Sequence, residues 1–396
     1  MASLKAKPAK PRPDFPLFPH QSGQWAKKIR GRFYYFGRWS EPDTALGEYL
    51  RVRDYLLSGR TPPPSEDTRP TMRDIVNACL THKKTRIESG ELSRRSFADL
   101  YHVGGLLVDA FKDRPVEDLM PEDFGQFRAE LSKGRSPVTL ANLIRRSRVF
   151  LNFAFDACLI DRPVRTGKNF DVPSRKTLRQ ARIESGQKLF DAAELRLLID
   201  NAREPVRSMI LLACNAALGC TDLSELSLEH LDLPSGWLDF PRVKTAVERR
   251  CPLWPETVES LRNWLPRRPK AAERENGSLV YLTRTGQPFV RFDFDEATGK
   301  TLSKNNVSNE FDKLQRRLKI KRSRRSFYAI RHTWRTVADR CRDARAAAVV
   351  MGHELPGIES HYVEHVENDR LIAVSDTVRS WLFGNDGDSQ AHDGFD

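Results

Sequence analysis

Arg331, His353 and Tyr362 are the residues of this 396-residue chain whose types and spacing point most directly to chemistry. His353 follows Gly352, Tyr362 stands nine residues beyond His353, and Arg331 lies thirty-one residues before the tyrosine. A guanidinium presents a planar fork of donors that fits two phosphate oxygens at once. An imidazole adds one further bond, and a tyrosine hydroxyl can attack phosphorus once such donors hold the charge. The ordered set therefore reads as a phosphate-handling site.

Three short elements must position these groups. In Ser326–Cys341 the apolar Ile330, Trp334, Val337 and Ala338 recur at helical intervals, which predicts a helix presenting Arg331 from one face. A second helix over ARAAAVVM ends at Gly352, a natural C-terminal cap, and sets His353 at the mouth of the cleft that Arg331 lines. Pro356 and Gly357 then break the chain before IESHYVEHV, a short helix expected to carry Tyr362.

This segment resembles the C-terminal half of the tyrosine recombinase (phage integrase) catalytic domain. That family's pattern is approximately His-x-Leu-Arg-His-Thr, then Leu-Gly-His, then Tyr nine residues after the His. Here the chain supplies Tyr328-Ala-Ile-Arg331-His332-Thr333, Met351-Gly352-His353 and Tyr362. The resemblance implies transesterification without metal or other cofactor. Tyr362 would attack a DNA phosphodiester, form a 3′-phosphotyrosine and release a 5′ hydroxyl, and a 5′ hydroxyl of another strand would reverse the step. Arg331 and His353 would hold the non-bridging oxygens, while His332 belongs to local packing. Lys244, in Val-Lys-Thr on a predicted β-hairpin, lies where the family carries its catalytic lysine and is expected to protonate the departing 5′ oxygen. No ATP is required, in keeping with the absence of a P-loop motif from the sequence.

Two positions depart from the family. Tyr328 replaces the usual His, and it can donate one hydrogen bond to phosphate but cannot shuttle protons near neutral pH. Upstream, the family's first catalytic arginine sits in Gly-x-Arg-x-x-Glu-Leu, whereas this chain reads Gly219-Cys-Thr-Asp222-Leu-Ser-Glu225-Leu226, with Gly219 one residue further out. A carboxylate at that position would repel the charge on the phosphorane, and losing one preorganised donor costs about two to three powers of ten in rate. Three outcomes stay open: another cation substitutes, the enzyme works slowly, or the chain binds DNA without strand exchange. Candidate substitutes are Arg207, Arg249, Arg250, Arg324 and Arg335. Asp222 could orient a neighbouring arginine or cap the helix after Gly219.

Composition supports a polyanionic partner. The net charge is +13 and the pI near 9.6, while a mean hydropathy of -0.56 without any long uncharged apolar run excludes a membrane-spanning helix. Double-stranded DNA is the expected partner. Six cysteines without CxxC or Cys/His zinc spacing read as reduced core thiols of a cytoplasmic protein, with no metal site.

The expected fold is multidomain α+β. Residues 1–20 read as a flexible basic arm. Residues 21–61 predict short antiparallel strands followed by a helix, and resemble the arm-type DNA-binding domain of some integrases; Lys27, Lys28, Arg30 and Arg32 would make one sheet face cationic. Four helical segments over 70–165 resemble the core-binding, SAM-like domain of the family, with Arg145 and Arg146 among its candidate phosphate contacts. Residues 166–188 form the interdomain linker, where Arg175 and Lys176 are candidate backbone contacts. A mixed α/β catalytic domain follows over 189–384, then an acidic disordered tail over 385–396. The amphipathic segment near 366–384 either packs on its own domain or docks into a neighbouring protomer. The chain thus reads as a site-specific recombinase or integrase of a mobile element, a dimer or tetramer on DNA, with a catalytically impaired or silent DNA-binding relative as the alternative.

Overall fold

The computed structural model describes residues 7–60, 69–186, 188–295, 298–354 and 366–384, and their apolar side chains gather into three clusters. The first cluster rests on a three-stranded antiparallel sheet of β1 (Phe18–Pro19), β2 (Gln24–Ile29) and β3 (Arg32–Arg38). β2 turns into β3 through Arg30 and Gly31, at φ 50° and 84°, the two positive angles that a tight hairpin requires. Helix α1 (Pro42–Ser58) covers one face with Ala45, Tyr49, Val52 and Leu56, which pack with Trp25, Ile29 and Phe36. Phe15 and Leu17 are buried in the same cluster, which corrects the expected flexible arm over 1–20. A small sheet with one helix has too little apolar surface to close its core, and these two side chains complete it. On the opposite face Phe33 and Tyr35 stay 48% and 45% exposed, with Lys28 over the Phe33 ring.

The second cluster lies among α2 (Met72–Glu88), α3 (Arg94–Phe111), α4 (Pro121–Ser132) and α5 (Pro137–Asp156). Thr71, Ser93 and Ser136 accept hydrogen bonds from the backbone N–H three residues on, so three of the four helices start where a hydroxyl can satisfy an orphan donor. Phe170 anchors the following segment in this core, and the basic helix α6 (Arg175–Glu184) then buries none of its residues.

The third and largest cluster holds α7 (Ala192–Asn201), α8 (Val206–Ala216), α9 (Cys220–Glu225) and an antiparallel sheet of β4 (Leu231–Asp232), β5 (Trp237–Asp239) and β6 (Arg250–Pro252). It continues through α10 (Pro255–Trp264), a two-stranded hairpin of β7 (Val290–Asp295) and β8 (Lys300–Asn305), α11 (Asn306–Arg317), α12 (Tyr328–Ala338), α13 (Ala344–Met351) and α14 (Asn368–Phe383). Asp191 and Glu194 close a capping box on α7, as their spacing implies. α14 buries Leu371, Val374, Val378 and Leu382 within this same cluster, so it packs on its own domain. The architecture is a multidomain, mixed α/β fold. No helix among the described residues is long and apolar enough to cross a membrane. Cys158 is exposed, at a turn with φ 53°, so the reading of every thiol as a core residue is corrected there.

The β7–β8 hairpin carries a contact that sequence reading did not anticipate. The Phe294 ring lies 5.7 Å from Phe97 and 5.1 Å from Tyr101 on α3, both edge-on, and Arg94 approaches Asp293 at 3.8 Å. It thereby ties the helical unit to the third. Edge-to-face pairs contribute about 0.5–1.5 kcal/mol each beyond area burial. Phe294→Ala is expected to leave the three cores folded while raising the rate of trypsin cleavage around Arg175–Arg182 several-fold, measured by limited proteolysis under native conditions.

Candidate active site

Arg331 is 3% exposed because Ile330, Trp334 and Val337 turn α12 inward and take the arginine with them. Its Nη1 donates to Ala217 O at 2.6 Å, and its Nη2 donates to Met351 O at 2.8 Å. Both carbonyls stand at helix C-termini: Ala217 caps α8 and Gly352 caps α13, at φ 54° and 61°. A helix end leaves carbonyls unpaired and partially negative, so one cation satisfies two helices at once. Hydrogen bonds to a charged group are worth about 1.5–3 kcal/mol each.

Nη2 also meets His353 Nε2 at 2.8 Å. A guanidinium can only donate, so Nε2 accepts, and the ring is neutral with its proton on Nδ1. Burial, followed by the charges of Arg331, Arg242, Arg249 and Arg335, pushes the His353 pKa down to about 4. His353 thus keeps one N–H donor for an incoming oxyanion.

Asp222 occupies the N3 position of α9 and accepts from Gly219 N at 2.8 Å, the capping role that was one of its two expected options. Its other oxygen lies 3.5 Å from Arg249 Nη2. The Arg249 side chain is fully buried, 5.8 Å over the Phe240 ring, and among the described residues none of its guanidinium nitrogens has a hydrogen-bond partner. A Cβ on Gly352 would meet Arg242 Cβ at 2.8 Å and Arg249 Nε at 3.3 Å, so glycine here lets the β5–β6 hairpin approach α13. The other proposed substitutes are placed differently. Arg250 pairs with Asp239 at 2.5 Å, Arg335 pairs with Asp339 at 2.8 Å, and Arg324 is exposed. Arg207 is half-buried beside the start of α8.

Lys244 is exposed at the tip of that hairpin, where Thr245 N and Ala246 N both donate to Arg242 O. Tyr328, 47% exposed, opens α12 with its ring edge-on to His332 at 5.3 Å. The structure thus groups Arg331 and His353 directly, with Asp222 and Arg249 beside them, while Tyr362 lies outside the described residues. Lys28, Arg30, Arg32, Arg145, Arg175 and Lys176 are exposed. Lys27 is corrected as a member of the cationic face: it donates to Pro16 O at 2.9 Å and lies 5.2 Å over the Tyr49 ring, bracing the small core. Arg146 pairs with Asp99, so its charge is already balanced within the protein.

The sign of the His353 shift gives a prediction. Its folded pKa lies below the ordinary 6.5, so between about 6.5 and 4 the unfolded chain binds more protons. The associated stability is present above pH 6.5 and is lost as pH falls toward 4. In His353→Gln, the fall in Tm across this window is expected to be shallower than in the wild type, measured by thermal melts at matched ionic strength.

A profile of the phage integrase family matches residues 188–369. Among solved structures, a lambda integrase tetramer bound to a Holliday junction aligns over 90% of this chain and 99% of its own, with a TM-score of 0.52 and 15% identity. The Tn1549 transposon integrase in complex with a circular intermediate DNA aligns over 77% of this chain and 99% of its own, with a TM-score of 0.56 and 17% identity. A lambda integrase dimer bound to a COC' core site covers 91% of this chain at a TM-score of 0.52 and 14% identity. At such identities these structures show a shared fold. No curated protein matches the chain. The matched segment spans Asp222, Lys244, Arg249, Arg331, His353 and Tyr362, so this part of the chain is similar to the tyrosine recombinase (phage integrase) family.

Proposed function

We propose that the protein cuts and rejoins double-stranded DNA at specific sites through a 3′-phosphotyrosine formed on Tyr362. The observation that carries this reading is the buried Arg331–His353 pair, a preorganised cation and a neutral N–H donor held on two helix ends. Tyr362 Oη attacks phosphorus and gives its proton to water as the P–O bond to the 5′ oxygen breaks. Lys244, on an exposed hairpin free to follow the DNA, protonates the leaving oxygen. The reverse attack by a 5′ hydroxyl regenerates the tyrosine. Each charge on the non-bridging oxygens is met by a donor that needs no reorganisation.

The likeness to a lambda integrase tetramer and dimer on DNA supports a homo-oligomer acting on the duplex. Within it we assign 21–61 as an arm-type unit, 70–165 as a core-binding unit, 166–188 as the linker and 189–384 as the catalytic unit. The aromatic and basic face around Phe33, Tyr35 and Lys28 supports a groove contact by the first of these. A silent DNA-binding relative is the second reading, favoured by the carboxylate of Asp222 where the family keeps an arginine.

A nicked suicide duplex carrying the cognate site separates the two. The wild type is expected to form a covalent adduct that Tyr362→Phe abolishes, and Lys244→Ala is expected to slow adduct formation by about 10²–10⁴-fold. Absence of an adduct on any cognate site, with DNA binding intact, would establish the silent reading.

A further inference from the structure

We propose that Arg249 is a further oxyanion-binding residue of this site, supplying from the β5–β6 hairpin the phosphate contact that position 222 does not make, and that Asp222 is its positioning residue. The assignment rests on the recombinase reading of the site.

The first reason is an imbalance of hydrogen bonds. Burying an ionised guanidinium without partners is strongly unfavourable, so native proteins pair such groups or reserve them for a ligand. Among the described residues Nε, Nη1 and Nη2 of Arg249 all lack a hydrogen-bond partner, although the side chain is completely desolvated. Asp222 compensates the charge from 3.5 Å but does not saturate the donors, because one of its oxygens is committed to Gly219 N.

The second reason is an imbalance of charge. Arg242, Arg249 and Arg331 act on one another here, and the carboxylate among them is Asp222. Among the described residues, with His353 neutral, these three guanidinia and Asp222 leave a net charge of +2. A phosphodiester carries one negative charge, and the phosphorane reached on attack carries two. The surplus therefore fits the transition state better than the bound substrate, which is the condition for accelerating the step. Position also fits: Arg249 Nε would stand 3.3 Å from a Cβ on Gly352, the residue next to His353. Arg242, half-buried, packs against Gly352 beside it.

Arg249→Met tests this. It is expected to bind DNA and to keep a Tm near that of the wild type, yet to form the covalent adduct about a hundredfold more slowly. Adding Asp222→Arg to Arg249→Met returns a guanidinium to the site from the α9 side, and is expected to recover about tenfold or more of that loss. An arginine that only supports the fold would lower Tm, and Asp222→Arg would restore no cleavage. Cleavage by Arg249→Met within about threefold of the wild type overturns the proposal. If Arg249→Met does not fold, Arg249→Lys is judged by the same criteria, since an ammonium keeps the charge but not the fork. A second readout separates this proposal from the recombinase reading: inorganic phosphate is expected to raise the Tm of the wild type but not of the Arg249 variant. If the wild type forms no adduct on any site, the recombinase reading fails, and a phosphate effect that requires Arg249 still sustains the oxyanion site. Equal phosphate effects in both proteins, or none in either, overturn it.

Discussion

The buried guanidinium of Arg331 is the constraint around which the third unit is arranged. It bonds the terminal carbonyls of α8 and α13, two helices far apart in sequence, and it sets the tautomer of His353 through the second N–H of Nη2. One side chain therefore fixes the relative placement of three helices and the protonation of the His353 imidazole. Both helix ends need left-handed residues for this, Ala217 and Gly352, so the backbone angles and the electrostatics serve the same contact. Asn215, two residues before Ala217, reinforces the junction: it bonds Pro252 O at 2.9 Å and Trp254 N at 2.8 Å, and its carbonyl accepts from Trp334 Nε1 at 3.0 Å.

That junction also explains why the β5–β6 hairpin can bring Arg249 so close. β6 is held against α8 by Asn215, and Gly352 has no side chain to keep the preceding loop away. The result is a dense positive site with one carboxylate, in which burial lowers the pKa of both Arg249 and Arg331 below its usual value. Such a site is costly in the free protein. Its cations are desolvated in advance, the preorganisation that the proposed phosphate contact would use.

Helix positions were legible wherever the signal was local. The capping residues Thr71, Ser93, Ser136 and Asp191, the apolar stripe of α12 and the glycine stop at Gly352 act within a few residues, and each stands where its sequence context implies. Other features depend on distant partners. Phe15 and Leu17 look like part of a basic, proline-rich arm until the sheet and α1 present a core that lacks them. The alternation Val290, Phe292, Phe294 suits a strand, but its docking against Phe97 and Tyr101 joins segments nearly two hundred residues apart. Lys27 differs from Lys28 only in which side of the strand it leaves, and a bulge between Trp25 and Ala26 settles that.

By itself the sequence determined the chemical inventory of the site: the Arg331, Gly352-His353 and Tyr362 spacing, the carboxylate at Asp222, the surplus of positive charge and the helices that carry Arg331 and end at Gly352. It left five arginines as equivalent candidates for one missing cation. Only the tertiary structure distinguished Arg249, because its desolvation and lack of hydrogen-bond partners among the described residues arise where the loop before β6 packs against the end of α13, and no local pattern encodes that approach.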